Sequence, residues 1–177
     1  PFIQLAAVIA ENFGHLDGVL LNAAVLGQRT MLTNYHWDTW QKVMQINVNG
    51  QFALMKHLIP LLDQAPADAS VIFTTSTVGH EGRAYWGAYS VSKFATEGLM
   101  QVMAQELENT SRIRVNCINP GATRTGMRAA AYPAENPVTV TEAKDIMPLY
   151  LKLMGPESIG IHGECIDAQP KKTPAAS

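Results

Sequence analysis

Val19–Leu21 and Val71–Phe73 are apolar at successive positions, the pattern of strands buried on both faces, and the run IRVNCIN from Ile113 to Asn119 makes a third strand. Stretches with helical spacing separate them, and a fourth short strand follows in GECIDA. Strands alternating with helices require crossover connections, hence a parallel sheet. The expected fold is α/β: a three-layer, Rossmann-like parallel sheet with helices on both faces. Ligands in such sheets bind beyond the carboxyl ends of the strands. Here those ends carry Asn22, Ser76 and Asn119-Pro120-Gly121.

The helical stretches are unequal. Ile3 to Ile9 reads as an amphipathic helix ending near Gly14, already under way where the chain opens without a Met. Trp37 to Leu62 reads as one long, bent helix interrupted at NVNG, with Pro60 tolerable only near its end or at a kink. A further helix runs from the Tyr89 region to about Glu108, and another begins near Thr141, whose Thr-x-x-Lys lacks the acid of a capping box.

At 177 residues and 47% hydrophobic, residues 1–177 suit a single domain with a sizeable core. A net charge of -2 without a basic run argues against nucleic acid or an anionic membrane as partner and favours a small-molecule ligand. No apolar run reaches membrane length, which suggests a cytoplasmic protein. Cys117 and Cys165 are two isolated thiols without a Cys-x-x-Cys. Both read as reduced core thiols, and no metal site is expected.

The chemistry concentrates in WGAYSVSKFATEG, Trp86 to Gly98. Tyr89 and Lys93 stand four apart and share one helix face. Five tyrosines and seven lysines in 177 residues give about 0.2 such pairs by chance, so the bare pair carries little weight. Its physics is nonetheless specific. A phenol titrates near pH ~10, and an ammonium about 5 Å away at an effective dielectric of ~20 interacts by roughly 3 kcal/mol, enough to lower that value by up to about two units. That moves tyrosine toward acid/base chemistry. Ser76 closes the preceding strand, and Asn47 interrupts the long helix where a backbone carbonyl can be freed to hold a water. Ser90 to Lys93 also satisfies Ser-x-x-Lys, so a serine acyl enzyme is a rival, as is a hydrolase pair of Ser76 with His80. Neither has the accompanying motifs of its class.

Together these residues resemble the short-chain dehydrogenases/reductases. The resemblance rests on five ordered motifs: NAA at Asn22, INVNG with Asn47, TTSTVG with Ser76, YSVSK with Tyr89 and Lys93, and NPGATRT with Pro120, Gly121 and Thr125. It covers nearly the whole chain, and VNCINPGATRTGMRA, DIMPLYLKLMG and DAQP are similar to a bacterial subgroup of uncharacterised oxidoreductases.

The resemblance implies hydride transfer between NAD or NADP and a carbonyl or alcohol, with Tyr89 as general acid/base and Lys93 lowering its pKa and binding the nicotinamide ribose. It implies that Ser76 positions the substrate oxygen and Asn47 holds a water. Asn22, Ala23, Ala24, Tyr89, Lys93, Pro120, Gly121, Thr123 and Thr125 would contact the cofactor, and Met127, Arg128 and Tyr132 are lid candidates, Arg128 hinting at an anionic substrate. The helices from Trp37 and Tyr89 would pack copies into a homodimer or homotetramer, and a non-catalytic assembly protein is the alternative.

Two departures stand out. Ala24 replaces a glycine, and no Gly-rich phosphate-binding turn occurs. The chain thus reads as an incomplete protein that begins in the helix before the family's fourth strand. Alone it would bind NAD(P) poorly and tend to aggregate through an open sheet edge.

Overall fold

A computed structural model describes residues 1–170. Four parallel strands form one sheet in the order β1 (Gly18–Leu21), β2 (Ala69–Thr74), β3 (Ile113–Asn119) and β4 (Cys165–Asp167). The helices are α1 (Phe2–Phe13), α2 (Trp37–Met44), α3 (Gly50–Leu62), α4 (Gly87–Leu107), α5 (Gly126–Ala131) and α6 (Ala143–Met154).

Both central strands are buried from end to end, and their alternation assigns side chains to two cores. Val71, Phe73, Val115 and Cys117 pack with Met55 and Leu62 of α3 and Met100, Met103 and Ala104 of α4. Ile72 and Ile118 point the other way, onto Ile146, Tyr150 and Leu153 of α6. The expected three layers follow.

At one edge, β1 pairs with β2 alone among the described residues, and Leu20 is 45% exposed. No residue of α1 is buried, and Ile3, Val8 and Phe13 face solvent. The open apolar edge expected from the sequence is present.

Three expectations need correction. Trp37 to Leu62 is two α-helices joined by a π-helical turn, Gln45–Asn49. Such a turn fits one extra residue and redirects a side chain; Asn47 is thereby turned fully inward. The last long helix starts at Ala143, with Glu142 as its N-cap; Asp145 accepts the Glu142 backbone N–H at 3.3 Å, so the missing capping acid lies one residue further on. Upstream of that helix, Thr125 caps α5 by accepting the Arg128 N–H at 3.2 Å. Cys165 is exposed, because β4 is the opposite edge strand; Cys117 is buried as expected.

Candidate active site

A cavity of about 620 Å³ opens beyond the carboxyl ends of β1, β2 and β3. Its volume suits a small-molecule site. Asn22, Ala23 and Ala24 form one wall, where β1 ends; Pro120, Gly121, Thr123 and Thr125 form another, where β3 ends. Ser76, Tyr89 and Lys93 lie between them. Of the predicted catalytic and cofactor-binding residues, Asn47 alone stands outside the lining.

Tyr89 is 7% exposed, its ring 5.8 Å from that of Trp86. Burial raises its pKa, and a hydrogen bond with Ser76 pulls the other way. The expected lowering by Lys93 is therefore not what governs this phenol. The Lys93 ammonium sits 5.6 Å from the centre of the Tyr89 ring and donates to the Thr74 carbonyl at 2.7 Å. An ammonium carries three donors, so that bond leaves protons for a ligand hydroxyl.

Lys93 is 1% exposed, and burial lowers its pKa to about 8, with Cys117 acting in the other direction. Between about 8 and the ordinary 10.5 the unfolded chain holds this proton more firmly than the folded one, so stability rises with pH across that window. Tyr89 and Cys117, both raised, act oppositely, so the lysine must be isolated by difference. Wild type is expected to gain about 3 kcal/mol on Lys93→Met between pH 8 and 10.5, read from paired urea-unfolding curves. A flat difference would mean that Lys93 titrates normally in the fold.

Asn47 works from behind the wall. Its Oδ1 accepts the Val25 N–H at 2.8 Å, and its Nδ2 donates to the Val25 carbonyl and to Ser92 Oγ, each at 3.0 Å. Ser92 in turn donates to the Tyr89 carbonyl at 2.7 Å. One amide thus ties the loop after β1 to the helix that carries Tyr89.

The β3 loop has its own brace. Gly121 turns at φ +69°, and Gln169 Nε2 donates to the carbonyls of Pro120 at 2.7 Å and Ala122 at 3.0 Å. Its Oε1 accepts from Thr141 Oγ1 at 2.8 Å. The Thr123 hydroxyl donates to the Pro120 carbonyl at 3.1 Å, and Thr125 Oγ1 caps α5. Gln169 escapes sequence reasoning because it touches the loop only through the fold.

The opposite side of the cavity is apolar: Leu26, Trp86, Met127, Ala131 and Met147. Both nearby arginines are occupied. Arg128 holds Glu135 through two bonds of 2.6 Å, and Arg29 lies 4.5 Å from the centre of the Trp86 ring while donating to the Ala131 carbonyl. Of the lid candidates, Met127 and Arg128 line the cavity, whereas Tyr132 stands outside the lining, its ring 5.9 Å from that of Trp86.

The rival readings fare poorly. Ser90 Oγ donates to the Val78 carbonyl at 2.6 Å, outside the Tyr89 cavity, and His80 Nδ1 pairs with Glu97 at 2.8 Å rather than with Ser76. The residues present fit the nicotinamide end of a dinucleotide: an open cleft at the strand ends and a buried ammonium with donors to spare.

Residues 2–136 match the family profile of the short chain dehydrogenases. The chain belongs to that family. It is 53% identical over 174 residues to the uncharacterized oxidoreductase YciK of Escherichia coli (strain K12), covering 98% of this chain and 68% of that protein. A 3alpha-hydroxysteroid dehydrogenase of Mediterraneibacter gnavus is 31% identical, with 89% of this chain and 65% of that protein covered. A crystal structure of a Shigella flexneri 2a short chain dehydrogenase complexed with NADP superposes with a TM-score of 0.92 at 53% identity, covering 96% of this chain and 70% of that one. The chain thus spans about two thirds of the length of these relatives. No helix among the described residues is long and apolar enough to cross a membrane.

Proposed function

We propose that the chain carries the catalytic residues of an NADP(H)-dependent oxidoreductase that interconverts a carbonyl and an alcohol, acting chiefly as a reductase of apolar ketones. The observation that carries this is the convergence of Ser76, Tyr89 and Lys93 in one cavity at the strand ends. The NADP complex of the Shigella relative supports the choice of cofactor.

When bound, the nicotinamide supplies the hydride that reaches the carbonyl carbon. Tyr89 gives its phenolic proton to the oxygen as charge develops there, and Ser76 donates a hydrogen bond to the same oxygen. Burial keeps the phenol protonated at neutral pH, the form that reduction requires. Lys93, close to the ring, steadies the phenolate left behind and binds the ribose with its remaining donors. Asn47 holds a water on its backbone carbonyl. Asn22, Ala23, Ala24, Pro120, Gly121, Thr123 and Thr125 would enclose the nicotinamide.

An apolar substrate suits the wall of Leu26, Trp86, Met127 and Met147, and the pairing of Arg128 with Glu135 argues against an anionic one. Copies would pair through α3 and α4, where Phe52, Phe94 and Val102 lie exposed. The test is NADPH oxidation with a panel of cyclic and aromatic ketones, each beside its carboxylated analogue. Turnover of the neutral members is expected; none with either nicotinamide cofactor would end the reading.

A further inference from the structure

Behind the Ser76 corner, outside the cavity, three unlike side chains meet. His80 follows the 3-10 turn Thr77–Gly79, Glu97 lies one helical turn beyond Lys93, and Cys165 opens β4. One ligand atom from each lies within 4.8 Å of the others. Glu97 Oε2 pairs with His80 Nδ1 at 2.8 Å, and the opposite ring nitrogen, Nε2, is 3.9 Å from Cys165 Sγ.

Those distances have a chemical meaning. A tetrahedral zinc ion bound to nitrogen at ~2.05 Å and sulfur at ~2.3 Å holds the two donors roughly 3.6 Å apart. The observed 3.9 Å needs only a small side-chain movement to close on an ion. A carboxylate on the far nitrogen of the imidazole is what orients a metal-binding histidine, since it holds the proton on Nδ1 and aims the Nε2 lone pair outward. Access is open, because His80 and Cys165 are exposed while Glu97 is 9% exposed. Glu97 is held in turn: its Oε1 accepts from Thr75 Oγ1. Gly79 makes the approach possible, since a Cβ there would stand 2.6 Å from Thr75 Oγ1 and 2.7 Å from Glu97 Oε1.

We propose that this cluster is a site for a borderline-soft divalent cation of the zinc class, bound by Cys165 Sγ and His80 Nε2 and completed by water, with Glu97 orienting the imidazole. The thiolate and imidazole donors disfavour magnesium and calcium, which take oxygen ligands. Bound there, the ion would fasten the edge strand β4 to the corner that bears Ser76. Sequence spacing hides the site, because its members come from three separate elements.

Cobalt(II) is the probe, titrated into the whole chain while the near-ultraviolet thiolate-to-cobalt band is followed. Wild type and Cys117→Ser should both develop the band, and added zinc should abolish it. Cys165→Ser and His80→Gln, at exposed positions, should lack it. Glu97→Gln should weaken cobalt binding by ~10- to 100-fold, the usual effect of removing such an orienting group. No band in wild type, or a band that survives Cys165→Ser and disappears in Cys117→Ser, would overturn the assignment. Ketone reduction plays no part in the readout, so the result is independent of the proposed activity.

Discussion

Tyr89→Phe is expected to lower kcat for ketone reduction by roughly 10²- to 10⁴-fold, the range attributed to a positioned general acid. NADPH binding should change little, because the phenyl ring keeps its place. Trp86 lies 5.8 Å away centre to centre, and the ring is already 93% removed from solvent at 7% exposure. The hydroxyl itself has Ser76 as its hydrogen-bonding neighbour, and Ser76 is only half buried, so water replaces the lost partner at small cost. A large fall in kcat with an unchanged dissociation constant therefore isolates proton transfer from binding. Turnover within about tenfold of wild type would mean that another group delivers the proton, and the proposed chemistry would fail with it.

Legibility in the sequence tracked the range of the interactions. Val71–Phe73 and Ile113–Asn119 announced buried strands through local pattern alone, and both lie where expected. Tyr89 and Lys93 were readable because helical periodicity already places them on one face. Lys93 shows where local reasoning stops. Its proximity to Tyr89 was visible, yet burial dominates both groups, and burial is set by the packing of the whole fold rather than by spacing along one helix. Gln169 braces Pro120 and Ala122 from 47 to 49 positions away, and nothing in the sequence DAQP signals it. Cys165 looked like a core thiol because free cysteines are usually buried; only the strand order reveals it at an edge. The capping acid at Asp145 was missed by a single residue, the ordinary uncertainty of a helix boundary.

Asn47→Ala should destabilise the fold by about 2–4 kcal/mol, because three buried or half-buried groups lose partners at once: the Val25 N–H, the Val25 carbonyl and Ser92 Oγ. Asn47 is fully buried, so solvent cannot replace those bonds without opening the junction between the β1 loop and α4. Asn47→Asp discriminates the cause. A carboxylate still accepts from Val25 N–H, but as an anion it has nothing to donate to the Val25 carbonyl or Ser92, and it brings a charge into a buried site. Asp should thus be no better than Ala in urea unfolding, despite its near-identical shape. The catalytic consequence separates two roles for the residue. Alanine retains the backbone carbonyl proposed to hold a water, so a rise in KM for NADPH together with lower kcat in Asn47→Ala would report the side-chain brace on Val25 and Ser92. Wild-type stability in Asn47→Ala would mean that the loop after β1 is held by something other than this amide.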